Sequence, residues 1–331
     1  MQMRIVVGLL LLLSLVAGAG ATAPGGWVHT GSFPFDGTES YSTWIAVNTT
    51  GFLYATADGG WVQIFRPDGT PSGRLEGGTD HPLWMLRGIA VNATDFVYVS
   101  NRSEDAEIVQ IFDRNNQRVG ALALPSGYFY PGDIAVNATG FVHVFGSLSS
   151  PITGLESVLP GGSALVFDRD GTLVAGYNVD IDNYGATSDG TTLVGVGYGR
   201  GTAFDRGMQS IGMFNGLSAA FDAAIAPNGQ TLVTDRILFD GFGDRSNSGR
   251  GQITSGRVRI YSTSSGGNPI GDLDWLFTVP SGIAIGPDGT LYVADRASGQ
   301  TKDPSPQTIT IHEFRIGSGL TAAFSCYPQS G

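Results

Sequence analysis

The chain has 331 residues, 50 of them Gly and 16 Pro, and only 14% are charged. Gly at that level without a three-residue period excludes collagen, and it disfavours long helices, where each Gly costs roughly 1 kcal/mol. With 41% hydrophobic residues a large core can be buried, and a net charge of −11 denies the chain the basic surface that a general nucleic-acid backbone binder needs.

In chain order, the first element is a leader. Arg4 gives a short positive start, residues 5–16 are apolar, and the small residues Ala17, Ala19, Ala21 and Ala23 follow. This pattern predicts a secretory signal peptide over residues 1–23, too short in its apolar part for a comfortable membrane span. The rest, residues 24–331, reads as one domain with no further apolar segment of membrane length. Cys326 is the sole cysteine, so no disulfide can form within the chain; pairing between chains would be self-assembly.

Past the leader the sequence repeats. WIAVNTTGFLYAT begins at Trp44, GIAVNATDFVYVS at Gly88 and DIAVNATGFVHVF at Asp133. NYGATSDGTTLVG at Asn183 is a degraded copy; DAAIAPNGQTLVT at Asp222 and GIAIGPDGTLYVA at Gly282 complete the set. In each, a short apolar strand meets a turn whose last residue, usually Gly, supplies the positive φ of a hairpin, and a second alternating strand follows. After a variable loop comes a third strand: WVQIF, IVQIF, SALVF, RVRIY or TITIHEF. In the degraded unit the third strand is either GTAFD or SIGMF. A turn such as RPDGT or DRDGT then leads to a weaker fourth strand. Four strands make one antiparallel blade that cannot bury both faces alone. The expected fold is therefore all-β, a six-bladed β-propeller of four-stranded antiparallel blades. Residues 26–33 are expected to close the ring beside the C-terminal strands. Insertions at 239–254 and 298–307 are expected on one face, and 239–254 together with residues 128–133 would carry specificity.

The segments GIAVNATDFVYVS with IVQIFDRNNQRVG, and GIAIGPDGTLYVADR, resemble the NHL-repeat β-propeller family, over about residues 44–324. The Asn turns at Asn48, Asn92 and Asn137 are similar to those of secreted, archaeal-type NHL-like proteins. The resemblance implies that Asp58, Asp235 and Asp295, closing second strands, fix the loops that follow them. It also brings in lactonase-like and amidating-lyase-like propellers, which hold divalent metals near the central channel.

Candidate site residues follow from position. Asp133, Asn183 and Asp222 sit at blade starts, near one rim of the channel, and such oxygen ligands would suit Ca2+. The bland alternative is that each caps a turn, and no cofactor is expected otherwise. His29, His81, His143 and His312 show no short metal-ligand spacing. Trp84, Tyr128, Phe129 and Tyr130 are loop aromatics that could form a ligand-binding rim, or pack over a blade edge. Phe65, Phe112, Phe167 and Tyr261 recur on third strands and read as inter-blade core. Asn48, Asn92, Asn101 and Asn137 head glycosylation sequons, although Asn-Ala-Thr is also good turn chemistry. These features lead to the expectation of a secreted or cell-surface, noncatalytic binding propeller for an extracellular protein or glycan. The alternatives are a divalent-metal-dependent propeller hydrolase or lyase, and a structural component of an extracellular assembly.

Overall fold

The computed structural model describes residues 26–35, 43–57, 59–102, 107–124, 129–152, 154–155, 157–158, 161–179, 183–239, 252–296 and 308–317. The leader, Asp58, Tyr128, Cys326, all of the insertion 298–307 and most of 239–254 lie outside them.

The described residues form 24 strands in six four-stranded antiparallel sheets. The first strand, β1 (Trp27–Phe35), belongs to the last blade. Blade one is β2 (Ile45–Val47), β3 (Leu53–Ala57), β4 (Trp61–Phe65) and β5 (Pro71–Glu76). Blade two is β6 (Ile89–Val91), β7 (Val97–Ser100), β8 (Glu107–Phe112) and β9 (Arg118–Ala123). Blade three is β10 (Phe129–Val136), β11 (Val142–Leu148), β12 (Gly161–Phe167) and β13 (Leu173–Asn178). Blade four is β14 (Asn183–Ser188), β15 (Leu193–Gly197), β16 (Arg200–Phe204) and β17 (Ser210–Met213), so GTAFD is its third strand and SIGMF its fourth. Blade five is β18 (Ala220–Ile225), β19 (Thr231–Phe239), β20 (Gln252–Tyr261) and β21 (Pro269–Asp272). Blade six takes β22 (Val279–Ile285), β23 (Leu291–Arg296) and β24 (Ile309–Ile316) and borrows β1 as its outermost strand.

The inner hairpins form because their turns are chemically specified. In the third blade Asn137 Oδ1 accepts from Thr139 N, Thr139 Oγ1 and Phe141 N at 2.7–3.0 Å, and Gly140 takes φ +83°. Blade two puts Asp95 at that position, with φ +63°. A non-Gly residue is strained there, but Asp95 Oδ1 accepts from Thr49 N and Oγ1 at 2.9 and 2.8 Å, tying the turns of blades one and two together.

Packing is radial. Six apolar clusters of buried residues fill the seams between neighbouring blades, and the one between blades one and two also takes in Phe221 of blade five. The third-strand aromatics Phe65, Phe112, Phe167 and Tyr261 are all at most 1% exposed, as their recurrence predicts. Burying each contributes about 1.5–3 kcal/mol. The seam between blades six and one is filled by Phe35, whose ring lies edge-on to Trp61 and Phe65 at 5.9 and 5.8 Å. Ring closure is thus a strand exchange: β1 pairs with β24 from Trp27↔Ile316 to Phe35↔Ile309, with one irregularity between His29 and Gly31. Trp27 also reaches blade five, donating Nε1–H to Gln230 Oε1 at 3.3 Å.

Candidate functional site

The innermost strands converge on a channel, and one register position of each blade faces it. The pairing of first and second strands identifies that position as Trp44, Gly88, Asp133, Gly185, Asp222 and Gly282. Gly185 replaces the expected Asn183. In blade four Ser188 pairs with Leu193, five residues apart, where the other blades span six, as in Val47↔Leu53. The turn is one residue shorter and its Gly190 sits one place farther from the second strand, so counting back from that glycine lands two residues early. The backbone of Asn183 begins β14; its side chain lies outside the described residues.

Large and absent side chains therefore alternate around the channel. A Cβ on Gly88 would overlap Asp133, one on Gly185 would overlap Asp222, and one on Gly282 would come within 2.6 Å of Thr43 O and 2.9 Å of Trp44 Cα. The glycines of even blades let the odd-blade side chains fill the middle. Trp44 is buried against Phe221, ring centroids 4.7 Å apart. The Arg236 guanidinium lies 3.8 Å from the Phe221 centroid, and its Nε–H donates to Pro280 O at 2.8 Å.

The carboxylates are struts between blades. Asp133 accepts from Ala186 N at 2.8 Å and Ile89 N at 3.3 Å, joining blades two, three and four. Asp222 accepts from Ala223 N at 2.7 Å and Ile283 N at 3.0 Å, joining blades five and six. The two side chains also hydrogen-bond each other. Desolvation drives both carboxyl groups well above the usual carboxylate range, and for Asp222 the neighbouring Asp133 charge adds to it. Two touching carboxylates in a dry site do not both ionise, so the pair shares a proton. Every carboxylate oxygen already accepts a backbone N–H, and a cation would compete with these bonds. Among the described residues no group of three or more His, Cys, Asp or Glu side chains is placed to hold a metal ion.

A second recurrent position lies four residues after the start of the second strand, just past β7 in blade two and within β19 and β23 in blades five and six. Asn101 Oδ1 accepts from Trp84 N at 2.6 Å, and its Nδ2 donates to Pro82 O at 3.4 Å. Asp235 Oδ1 accepts from Ser218 N and Ala219 N at 2.8 and 2.9 Å, and its Oδ2 binds Arg257 Nη2 at 2.9 Å. Asp295 accepts from Thr278 N and Val279 N at 2.9 and 2.7 Å. The loops held are those that lead into the first strand of the same blade, not the loops that follow the acidic residue, as the family pattern implied. Asn101 does this work inside a sequon: it is 1% exposed, and the nitrogen that would carry a glycan is bonded. In the other three sequons the amide oxygen caps the hairpin turn. The Nδ2 of Asn92 donates to Tyr98 Oη, and that of Asn137 lies against His143 Nε2, both at 3.4 Å.

The rim aromatics divide. Trp84 and Tyr130 are 61% and 39% exposed, whereas Phe129 is 6% exposed and packs with Leu148 and Ile152 in the core. Phe129 and Tyr130 are consecutive on β10 and point to opposite sides, as strand alternation requires. The Arg102 guanidinium covers the Tyr130 ring at 4.3 Å, and Arg102 N donates to Trp84 O at 3.0 Å. The next residue, Met85, is held at φ +46°.

The histidines do not gather at the channel. His143 is buried on β11, and desolvation lowers its pKa to about 4. His29 stacks on Trp275 at 4.0 Å and lies 5.6 Å from the ring of His312, on the outer strands of blade six. His81 Nδ1 lies 3.3 Å from Glu107 Oε2.

No protein-family model matches the chain, and no curated protein sequence is similar to it. Solved structures are. A gluconolactonase of Xanthomonas campestris, XC5397, superposes with TM-score 0.58 at 14% identity, covering 90% of this chain and 98% of that one. A hydrazine synthase chain of Kuenenia stuttgartiensis gives TM-score 0.53 at 19% identity, covering 81% and 78%. At these identities the likeness is one of fold.

Proposed function

We propose that the protein is a secreted or cell-surface propeller of the NHL-like type that binds its ligand on one rim of the ring without chemistry in the channel. The observation that carries this reading is the closed channel: Trp44, Phe221, Asp133 and Asp222 are buried and pack or bond to backbone. The rim that receives the loops leading into first strands bears Trp84 and Tyr130. The long connections between β19 and β20 and between β23 and β24 leave from the same end of their blades. An extracellular protein or glycan is the ligand class that fits an exposed aromatic rim on an acidic, exported chain. The leader of residues 1–23 supports export.

A lactonase-like hydrolase is the second reading. Its support is the buried Asp133–Asp222 pair with raised proton affinity, a perturbation common at functional sites, together with the fold shared with a gluconolactonase. In that reading Ca2+ or another divalent ion would replace the shared proton. One assay separates the two. Purified protein is incubated with gluconolactone and with Ca2+, Mg2+, Mn2+ or Zn2+, or with chelator. The binding reading expects hydrolysis at the buffer rate throughout. Metal-dependent turnover abolished by Asp133→Asn would replace it with the hydrolase.

A further inference from the structure

Resting on the binding reading, we propose that the Trp84–Arg102–Tyr130 surface is an acidic-saccharide subsite, one that takes a uronate-type sugar by stacking on Trp84 and pairing with Arg102. Three observations meet there. The first is presentation: Trp84 is 61% exposed in an acidic chain whose other four tryptophans include the buried Trp27 and Trp44. A large apolar ring held in water has a flat face free for the C–H side of a pyranose.

The second is preorganisation. The peptide of Trp84 is gripped from both sides: its N–H donates to Asn101 Oδ1 at 2.6 Å, and its C=O accepts from Arg102 N at 3.0 Å. Asn101 is itself buried and anchored to Pro82 O. Met85 then takes a left-handed φ of +46°, a conformation that costs free energy in a residue with a side chain. Strain of this kind persists only where surrounding contacts hold the loop, and a loop held before a ligand arrives has a lower ordering cost of binding.

The third is charge. The Arg102 guanidinium carbon sits over the Tyr130 ring, 4.3 Å from its centroid, and no carboxylate pairs with it among the described residues. Four other arginines of the ring are held by carboxylates: Arg118 by Glu107, Arg257 and Arg259 by Asp235, and Arg315 by Asp288. A guanidinium stacked on one face keeps its N–H edge free for a planar carboxylate. A neutral sugar or a plain apolar peptide would use the Trp but leave that edge unmatched.

The test uses isothermal titration of the full chain with tetragalacturonate and with its fully methyl-esterified, neutral counterpart. The acid is expected to bind at least about tenfold more tightly than the ester, with affinity falling as salt rises. Trp84→Ala should weaken both ligands by about tenfold or more. Arg102→Gln should weaken the acid alone, and Arg102→Lys should restore part of the loss. Unchanged melting temperatures would show that the variants remain folded. Equal binding of acid and ester, or indifference of the acid to Arg102→Gln, would overturn the inference while leaving rim binding intact. Absence of binding by either ligand would overturn it as well. If metal-dependent lactone turnover were found alongside that absence, the binding reading would fall too.

Discussion

At the scale of single residues, the least replaceable positions are small or amide side chains set against backbone. Gly185 is one. Its missing Cβ is where the Asp222 backbone and carboxylate pass, and backbone cannot rotate out of the way as a flexible side chain can. Gly185→Ala is expected to destabilise the ring by about 3 kcal/mol or more, toward the upper end of overpacking costs, read from urea unfolding. An unchanged midpoint would refute the close approach. Asn101→Ala should cost about 1 kcal/mol, because it removes the part-buried hydrogen bonds to the N–H of Trp84 and the carbonyl of Pro82. Peptide mass mapping of protein from a glycosylating host should find Asn101 unmodified. Neither role was open to reading from one segment alone. The residue after YVS looked like a sequon, and its equivalence to Asp235 and Asp295 emerges only once strand register is known. The hairpins themselves were legible, because Asn, Gly and alternating apolar residues specify them locally.

At the scale of elements, closure of the ring rests on β1 and β24, and two histidines sit in that seam. His312 is packed among His29, Trp275 and Phe277, and desolvation, with the His29 charge adding to it, lowers its pKa to about 4. His29 is lowered too, again mainly by desolvation. In the unfolded chain each would titrate near 6.5. Between those values the unfolded state binds the extra proton, so the contribution of these residues is intact above about pH 6.5 and is lost progressively as pH falls toward 4. Urea midpoints at pH 7.5 and 5 should differ less in His312→Phe than in the unaltered protein. An equal acid loss in both would exclude His312 as a source. The pairing of residues 26–33 with the C-terminal strands could be anticipated, since a six-repeat ring needs a closing partner for its last blade. The face that Phe129 presents could not, because β10 carries a register shift between Pro131 and Ile134, and alternation cannot be counted through a bulge.

At the scale of the whole molecule, the Asp133–Asp222 pair joins blades two to six through one shared proton. The pKa of Asp133 is raised to about 7 and that of Asp222 is raised as well, against about 4 in the unfolded chain. Here the native state binds the extra proton. The stabilisation is therefore fully present below the unfolded value and is lost as pH rises through the folded one, opposite in sign to the histidines. Above about pH 7.5 the histidines are neutral in both states, so the window from about 7.5 to 8.5 isolates the pair. The melting temperature should fall across that window. Asp222→Asn, which keeps a donor toward Asp133 without a titrating proton, should lower stability at pH 6 yet flatten the fall. A slope as steep as that of the unaltered protein would mean that the pair does not govern it. Six blades of four strands were readable from repeat spacing. The plug was not, because its contacts between blades join positions 44 or more residues apart, and the shorter blade-four turn hid the glycine that completes the pattern.

The alternation of Trp44, Asp133 and Asp222 with Gly88, Gly185 and Gly282 also gives the ring a parity. Insert or delete one blade, and somewhere two bulky residues must occupy adjacent places, or two glycines must leave a hole between them. Each bulky residue leans on the glycine of the blade before it, so the smallest unit that can be copied into this ring intact is a pair of blades. Gene duplications that change its size are therefore expected to persist two repeats at a time. A designer extending it should copy blades two and three together, never either alone.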